Sequence, residues 1–217
     1  MKKIKLSGVI LLALWFTLSG VAFGAEKLLD SFEKGLEGWE IPDWALEKDE
    51  YAAKKLVVSE DYAEEGKKAL KLNVDFTGEK WMGAYLEIQE YFDWTSYGKL
   101  SADLYLPESA PLGLTAKIIL TVGEDWAWTE MNRGTILEPG KWTTISADLN
   151  PGSTDWRRTT VTDAFRKDVR KFGIRIESNR RPVYAGPVYI DNIKLTETAP
   201  VETKEVATEE INKEGGE

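Results

Sequence analysis

The chain has 217 residues, 42% of them hydrophobic, with a formal net charge of −9 and neither cysteine nor histidine. Without cysteine there is no disulfide framework, so stability has to come from packing or a bound ion. Without histidine the commonest general base, the commonest transition-metal ligand and the Ser-His-Asp triad are all missing, and the acid surplus argues against nucleic acid or an anionic membrane as partner. No phosphate loop, dinucleotide fingerprint or zinc spacing is present. Glycoside chemistry by paired carboxylates stays open, but with 37 Asp and Glu in the chain no single pair stands out.

Residues 1–24 read as a signal peptide. Lys2, Lys3 and Lys5 form a basic start, VILLALWF an apolar run, and Ala22-Phe23-Gly24 a small-residue cleavage site, the pattern of a secretory leader. The alternative is a membrane anchor, which asks for a longer apolar run of about 20 residues. Cleavage removes three lysines, taking the charge from −9 to −12, and leaves 193 residues, enough for one domain with a sizeable core. A secreted or extracellular protein is expected, with no membrane contact once the leader is gone.

The domain is expected over residues 25–197, and its elements alternate with period two, as half-buried antiparallel strands do. In KKALKLNVDF, Leu70, Leu72, Val74 and Phe76 face one way and Lys71, Asn73 and Asp75 the other. WMGAYLEIQ sets Met82, Ala84, Leu86 and Ile88 against Trp81, Gly83, Tyr85 and Glu87. LSADLYLP offers Leu100, Ala102, Leu104 and Leu106 to a core; KWTTISADL offers Ile145, Ala147 and Leu149; FGIRIESN offers Phe172, Ile174 and Ile176, leaving Arg175 and Glu177 outward. Glu138-Pro139-Gly140-Lys141 and Asn150-Pro151-Gly152 are turn signals between them. One short helix is predicted from Phe165, Val169 and Phe172 at helical spacing behind a Thr162 or Asp163 cap. From Glu197 the text changes to an acidic stretch without aromatics, so residues 198–217 are read as a disordered tail or linker. So many strands in one domain predict a jelly-roll β-sandwich of two antiparallel sheets.

Eight of the nine tryptophans follow the signal-like segment, and they divide into two groups. Trp39, Trp94, Trp142 and Trp156 are read as buried, in a small cluster under loops. Trp81 and Tyr85 share the strand face that the aliphatic residues do not use. Aromatics placed there have no packing task, and clustered exposed aromatics mark binding surfaces. In GEDWAWTEMN, Trp126 and Trp128 would share a face if the chain were evenly extended, but a bulge after Gly123 would reverse that parity. The partner that suits flat aromatics on an acidic exported protein is a sugar chain, whose pyranose C–H faces stack on indoles at about 1 kcal/mol each. Its hydroxyls would bond to Asn132, Arg133, Arg175 and Glu177.

Several stretches resemble a known family. LLDSFEKGLEGWE and AGPVYIDNIKLTE are similar to the first and last strands of galactose-binding-like jelly rolls. DWALE, GEKWMGAYLE, GKLSADLYLP and TVGEDWAWTEMN resemble, in order, the mannan-binding carbohydrate-binding module of family 27 carried by bacterial endo-mannanases. The resemblance implies a non-catalytic module that grips β-1,4-linked mannan or glucomannan, with Trp44, Trp81 and Trp126 as three stacking platforms and Trp128 extending or buttressing the third. It also implies a structural calcium, held by Glu33 or Asp30 together with Asp191, oxygen donors of the kind a hard cation prefers. Asp191 has a second reading, as a bulge or turn residue bonding its own backbone. The resemblance further implies a glycoside hydrolase as catalytic partner, a domain these residues do not themselves contain. The stretch Trp156-Arg157-Arg158 departs from the family pattern. Two other classes compete: a structural or protein-interaction domain of an envelope assembly, and a jelly-roll glycosidase or lyase.

Overall fold

The computed structural model describes residues 24–198; the stretches read from sequence as signal peptide, up to residue 23, and as tail, from residue 199, lie outside the described residues. The elements in chain order are β1 (Glu26–Asp30), α1 (Asp43–Glu47), β2 (Ala53–Ser59), β3 (Ala69–Phe76), β4 (Trp81–Phe92), β5 (Tyr97–Tyr105), β6 (Thr115–Val122), β7 (Ala127–Glu130), β8 (Thr135–Ile136), β9 (Trp142–Asp148), α2 (Asp163–Lys167), β10 (Val169–Asn179) and β11 (Tyr184–Glu197). They build two antiparallel sheets. One runs β2-β3-β11-β5-β9, with β1 also on β11; the other runs β4-β10-β6-β7, with β8 also on β6. The predicted sandwich is the fold observed. Among the described residues no helix is long and apolar enough to cross a membrane.

The period-two pattern produces this arrangement because each strand has one face that must leave water. Leu70, Leu72, Leu100, Leu104, Ile145 and Ile190 come from the six-stranded sheet and meet Leu86, Ile118, Leu120, Ile174 and Ile176 of the five-stranded one, all at most 1% exposed. Burial of each such side chain contributes about 1.5–3 kcal/mol, which is how a cysteine-free domain holds together. Trp39, Trp94 and Trp156 are buried as expected, but in this main core instead of a separate loop cluster. Trp142 differs. It opens β9 on the outer face of the six-stranded sheet, half-buried, its ring 5.4 Å from that of Tyr105.

The predicted helix is shorter than its apolar spacing suggested. Thr162 caps it by accepting a hydrogen bond from the Phe165 N–H at 3.1 Å. Asp168 then leaves the helical region at φ −130°, and Val169 and Phe172 belong to β10. The reason is competition between periods. Val169 and Phe172–Ile176 pair with β4 on one side and β6 on the other, and two ladders outweigh one more helical turn.

Candidate functional site: an aromatic groove outside the five-stranded sheet

Register fixes what the outer face of this sheet displays. Tyr85 on β4 lies opposite Arg175 on β10, which lies opposite Lys117 on β6. The next outward row holds Glu87, Gly173, Ile119 and Glu130; the one beyond holds Gln89, Lys171, Thr121 and Trp128. Trp128 is thus aimed outward by its place on β7.

Trp44 arrives from a different element. The segment from Glu40 to Ala52 covers the edge of β4 and is tied to it at both ends: Glu40 and Glu87 exchange backbone hydrogen bonds at 2.9 Å, and Gly83 bonds to Glu50 and Ala52. Covering an edge strand in this way removes a template for aggregation. Between the two ties α1 stands over the sheet and carries Trp44. Its ring is 4.9 Å from Tyr51, 5.2 Å from Tyr85 and 6.4 Å from Trp128. Tyr51 in turn lies 6.3 Å from Trp81. Trp81, Tyr51, Trp44 and Trp128 therefore form one continuous row of rings.

Along this row runs a groove of about 550 Å³ lined by Trp44, Lys48, Tyr51, Glu87, Thr121, Trp126, Trp128 and Lys171. Trp126 and Trp128 are 40% and 45% exposed, the condition a stacking platform requires. Trp126 does not share a strand face with Trp128 through simple alternation. It closes a turn, its N–H bonding to the Gly123 carbonyl at 3.1 Å with φ at +56°, and β7 starts one residue later.

The polar floor beneath the rings is largely satisfied from within. Tyr85 is 1% exposed, and its hydroxyl donates to Glu87 Oε2 at 2.8 Å. Burial, reinforced by the Glu87 charge, pushes its phenol far above the ordinary range and keeps it protonated. Its ring lies across β10 at Gly173, where any Cβ would collide with it. Glu87 also receives the Lys171 ammonium at 2.6 Å. Next to it, Arg175 bonds Glu130 at 2.5 Å and Glu177 at 2.7 Å, while its guanidinium carbon lies 5.4 Å from the Trp81 ring. Burial pushes the Glu130 carboxyl up, but Arg175, with Arg157 and Lys117, outweighs it and holds the group below its ordinary value. For Arg175 burial pulls the other way, and Glu177 and Glu130 more than restore the charge.

The residues singled out from sequence therefore have different surroundings. Trp44, Trp126 and Trp128 line the groove and Trp81 continues its row; Tyr85, Arg175 and Glu177 sit under the rings. Asn132 and Arg133 are set apart, in a second depression with Met131, Gly134, Thr135, Thr154 and Asp155, where the Asn132 amide donates to the Thr154 carbonyl at 2.6 Å. The chain beyond Glu130 continues along the edge of β6 toward β8, carrying both side chains away from the aromatic row. Tyr51, Lys48, Thr121 and Lys171 line the groove without having been singled out. Alternation already set Glu87 on the outer face, and would have set Lys171 there by counting back from Arg175. Tyr51 has no periodic neighbours to betray it.

The three carboxylates predicted to hold calcium do not form one group. Asp30 accepts the Trp39 indole N–H at 2.9 Å. Glu33 Oε1 accepts the backbone N–H groups of Lys67 and Lys68. Asp191 accepts those of Glu64, Glu65 and Asn192, and Asn192 has φ +53° beside an irregularity in the β11–β5 register. These bonds engage Asp191 Oδ1 and Oδ2 and Glu33 Oε1, while among the described residues none reaches Glu33 Oε2. Among the described residues no group of three His, Cys, Asp or Glu could hold a metal, and a calcium held by Asp191 with Glu33 or Asp30 would need backbone carbonyls for its remaining ligands.

Fold and site together define a two-sheet β-sandwich with an open aromatic groove on the outside of one sheet. A profile of the family described as mannanase, galactose-binding domain-like matches residues 30–192, and the chain belongs to that family. Comparison with curated protein sequences gives no match. Among solved structures the chain is similar to the CBM27-1 module of Caldicellulosiruptor saccharolyticus, determined in complex with mannohexaose, at 21% identity and TM-score 0.56 over 79% of this chain and 97% of that one. It is also similar to a CBM28 module specific for non-crystalline cellulose, at 17% identity and TM-score 0.58 over 81% and 97%. A third is the family 11 module of a cellulosomal cellulase of Clostridium thermocellum, at 16% identity and TM-score 0.53 over 81% and 96%. At these identities the likeness is one of fold.

Proposed function

We propose that this protein is an exported, non-catalytic module that binds β-1,4-linked mannan or glucomannan along the aromatic groove. The observation that carries the reading is the row Trp81–Tyr51–Trp44–Trp128, with Trp126 on the same groove, outside a sheet whose other face already supplies the core. Each indole presents an apolar face to a pyranose ring, and area burial gives about 1 kcal/mol per stacked face. Several such stacks, with hydrogen bonds to the sugar hydroxyls and less the ordering costs, amount to reversible binding of a polysaccharide chain. The family description and the mannohexaose bound to the Caldicellulosiruptor module support mannan as the chain gripped.

The carboxylates near the groove support a non-catalytic role. Glu87 is tied to Lys171 and Tyr85, and Glu130 and Glu177 to Arg175. A glycosidase needs one carboxylic acid to give a proton and a second carboxylate free to act as base or nucleophile, and ion-paired groups do neither well. Export rests on the basic and apolar pattern of residues 1–24, and a separate mannanase is the catalytic partner this reading calls for.

Affinity electrophoresis against mannan, glucomannan, xylan and mixed-linkage glucan tests the reading. Mannan and glucomannan should retard the protein, and Trp44→Ala, Trp81→Ala and Trp128→Ala should each weaken that retardation about fivefold or more. Unretarded migration in every gel, or native retardation in all three variants, removes the proposal. Release of reducing sugar from any of the four polymers would replace it with an enzyme.

A further inference from the structure

Arg170 stands on β10 beside the turn that carries Trp126. Its guanidinium grips Asp168 with both ends of its fork, Nε to Oδ1 at 3.0 Å and Nη2 to Oδ2 at 2.9 Å, and Nη1 reaches the Glu124 carbonyl at 3.5 Å. So held, its central carbon lies 5.1 Å from the Trp126 ring centroid and 5.5 Å from that of Tyr91. A cation at this range is attracted to the face of an indole.

The backbone at Trp126 is the second observation. Its φ of +56° is in the left-handed region, where a bulky side chain is a genuine outlier and glycine is at home. The chain thus keeps a large indole, 40% exposed, at a position suited to glycine, and sets a doubly anchored cation against it. Core packing explains neither, because the ring faces the groove. Strained positions that persist mark function more often than chance.

We infer that Arg170 is a positioning residue that fixes the Trp126 indole as a rigid platform at the end of the glycan groove. The inference rests on the glycan-binding reading for its purpose, though not for its geometry. A surface indole free to turn has rotamer freedom to lose when a sugar stacks on it, and one already immobilised does not. Arginine suits the task better than lysine, since a planar fork can chelate a carboxylate and lie along a ring at once. Arg175 has a similar relation to Trp81, but its removal would take the ion-pair partner from Glu177 and one of three from Glu130, so Arg170 is the cleaner test.

The experiment compares the full chain with Arg170→Ala, Arg170→Lys, Trp126→Ala, Trp126→Gly and the Arg170→Ala/Trp126→Ala double variant. Calorimetric titration with mannohexaose is paired with NMR order parameters of the Trp126 indole N–H in the free protein. Arg170→Ala should lower affinity about two- to fivefold, Arg170→Lys should recover part of the loss, and the double variant should bind no worse than Trp126→Ala. The indole order parameter should fall in Arg170→Ala. Trp126→Gly should lose affinity as Trp126→Ala does, yet unfold at a higher urea concentration. An unchanged order parameter in Arg170→Ala overturns the inference, as does an equal loss of affinity from Arg170→Ala when Trp126 is already alanine. If Trp44→Ala and Trp128→Ala bind mannohexaose as the native chain does, the glycan reading falls instead, and the order parameter still judges Arg170.

Discussion

The Tyr85 hydroxyl donates to the Glu87 carboxylate two residues along the same strand, at 2.8 Å, and both side chains are withdrawn from solvent. Tyr85 is therefore the floor under Trp44 and Trp128, not a hydroxyl offered to a sugar. Tyr85→Phe should cost about 1–2 kcal/mol of unfolding free energy, since a buried charge loses one of its two donors. Mannan affinity should change less than twofold. Urea unfolding and affinity electrophoresis on the same preparation check both halves, and a large affinity loss at native stability would return Tyr85 to the contact surface.

Asn132 and Arg133 supply the complementary prediction. They line a depression separate from the aromatic row, so Asn132→Ala and Arg133→Ala should leave mannan affinity within about twofold, below one decade's 1.4 kcal/mol. A tenfold loss from either would mean that a bound chain extends along the edge of β6 into the second depression.

Asp30 gives a dependence on pH. Burial pushes its carboxyl up from 3.8 to about 6, against the pull of the Trp39 indole, with Glu37 and Glu90 adding to the rise. A carboxyl raised in the folded state binds its proton more tightly there than in the unfolded chain. Its contribution is thus complete below about pH 4 and lost as pH climbs toward about 6. Allowing for partial exposure, that is about 1–2 kcal/mol. Asp30→Asn, which keeps an acceptor for Trp39, should raise stability at pH 7 by about this much while gaining little at pH 4. Urea titrations at the two pH values measure the difference, and equal effects at both would exclude the carboxyl as its source.

Asp191 and Glu33 pin the 64–68 turn against the six-stranded sheet through four backbone N–H groups, and Asp191 accepts a fifth from Asn192 on β11. Asp191→Ala leaves three of those donors without a partner and should destabilise the domain by about 2–3 kcal/mol. Because N–H groups already bond three of the four oxygens of this pair, the melting temperature of the native chain should be the same in calcium and in chelator. A rise of several degrees with calcium would show that the turn rearranges to admit the ion.

How much was legible beforehand can be seen element by element. Alternation in KKALKLNVDF, WMGAYLEIQ and FGIRIESN assigned core faces whose residues in β3, β4 and β10 are all buried, but on β4 and β10 the outer face is covered too, with Tyr85, Glu87 and Arg175 buried. The same alternation placed Trp81, Tyr85, Glu87, Arg175 and Glu177 on one outer surface. It failed at Phe165–Phe172, where two periods fit the same residues and only neighbouring strands could choose between them. Tyr51 and Lys48 were invisible, because their position depends on a loop tied to β4 through backbone atoms, which carry no side-chain signature.

The sequence by itself determined a two-sheet sandwich, because strand faces are a local property: residue parity decides which side chains must leave water, whatever partner a strand later meets. It also determined that aromatics would remain outside. Which aromatics meet was decided only in three dimensions, by the register that sets Thr121 opposite Trp128 and by the edge-covering segment that swings Trp44 over Tyr85. Contacts between residues distant in the chain depend on how whole elements dock, and no short window of sequence encodes that.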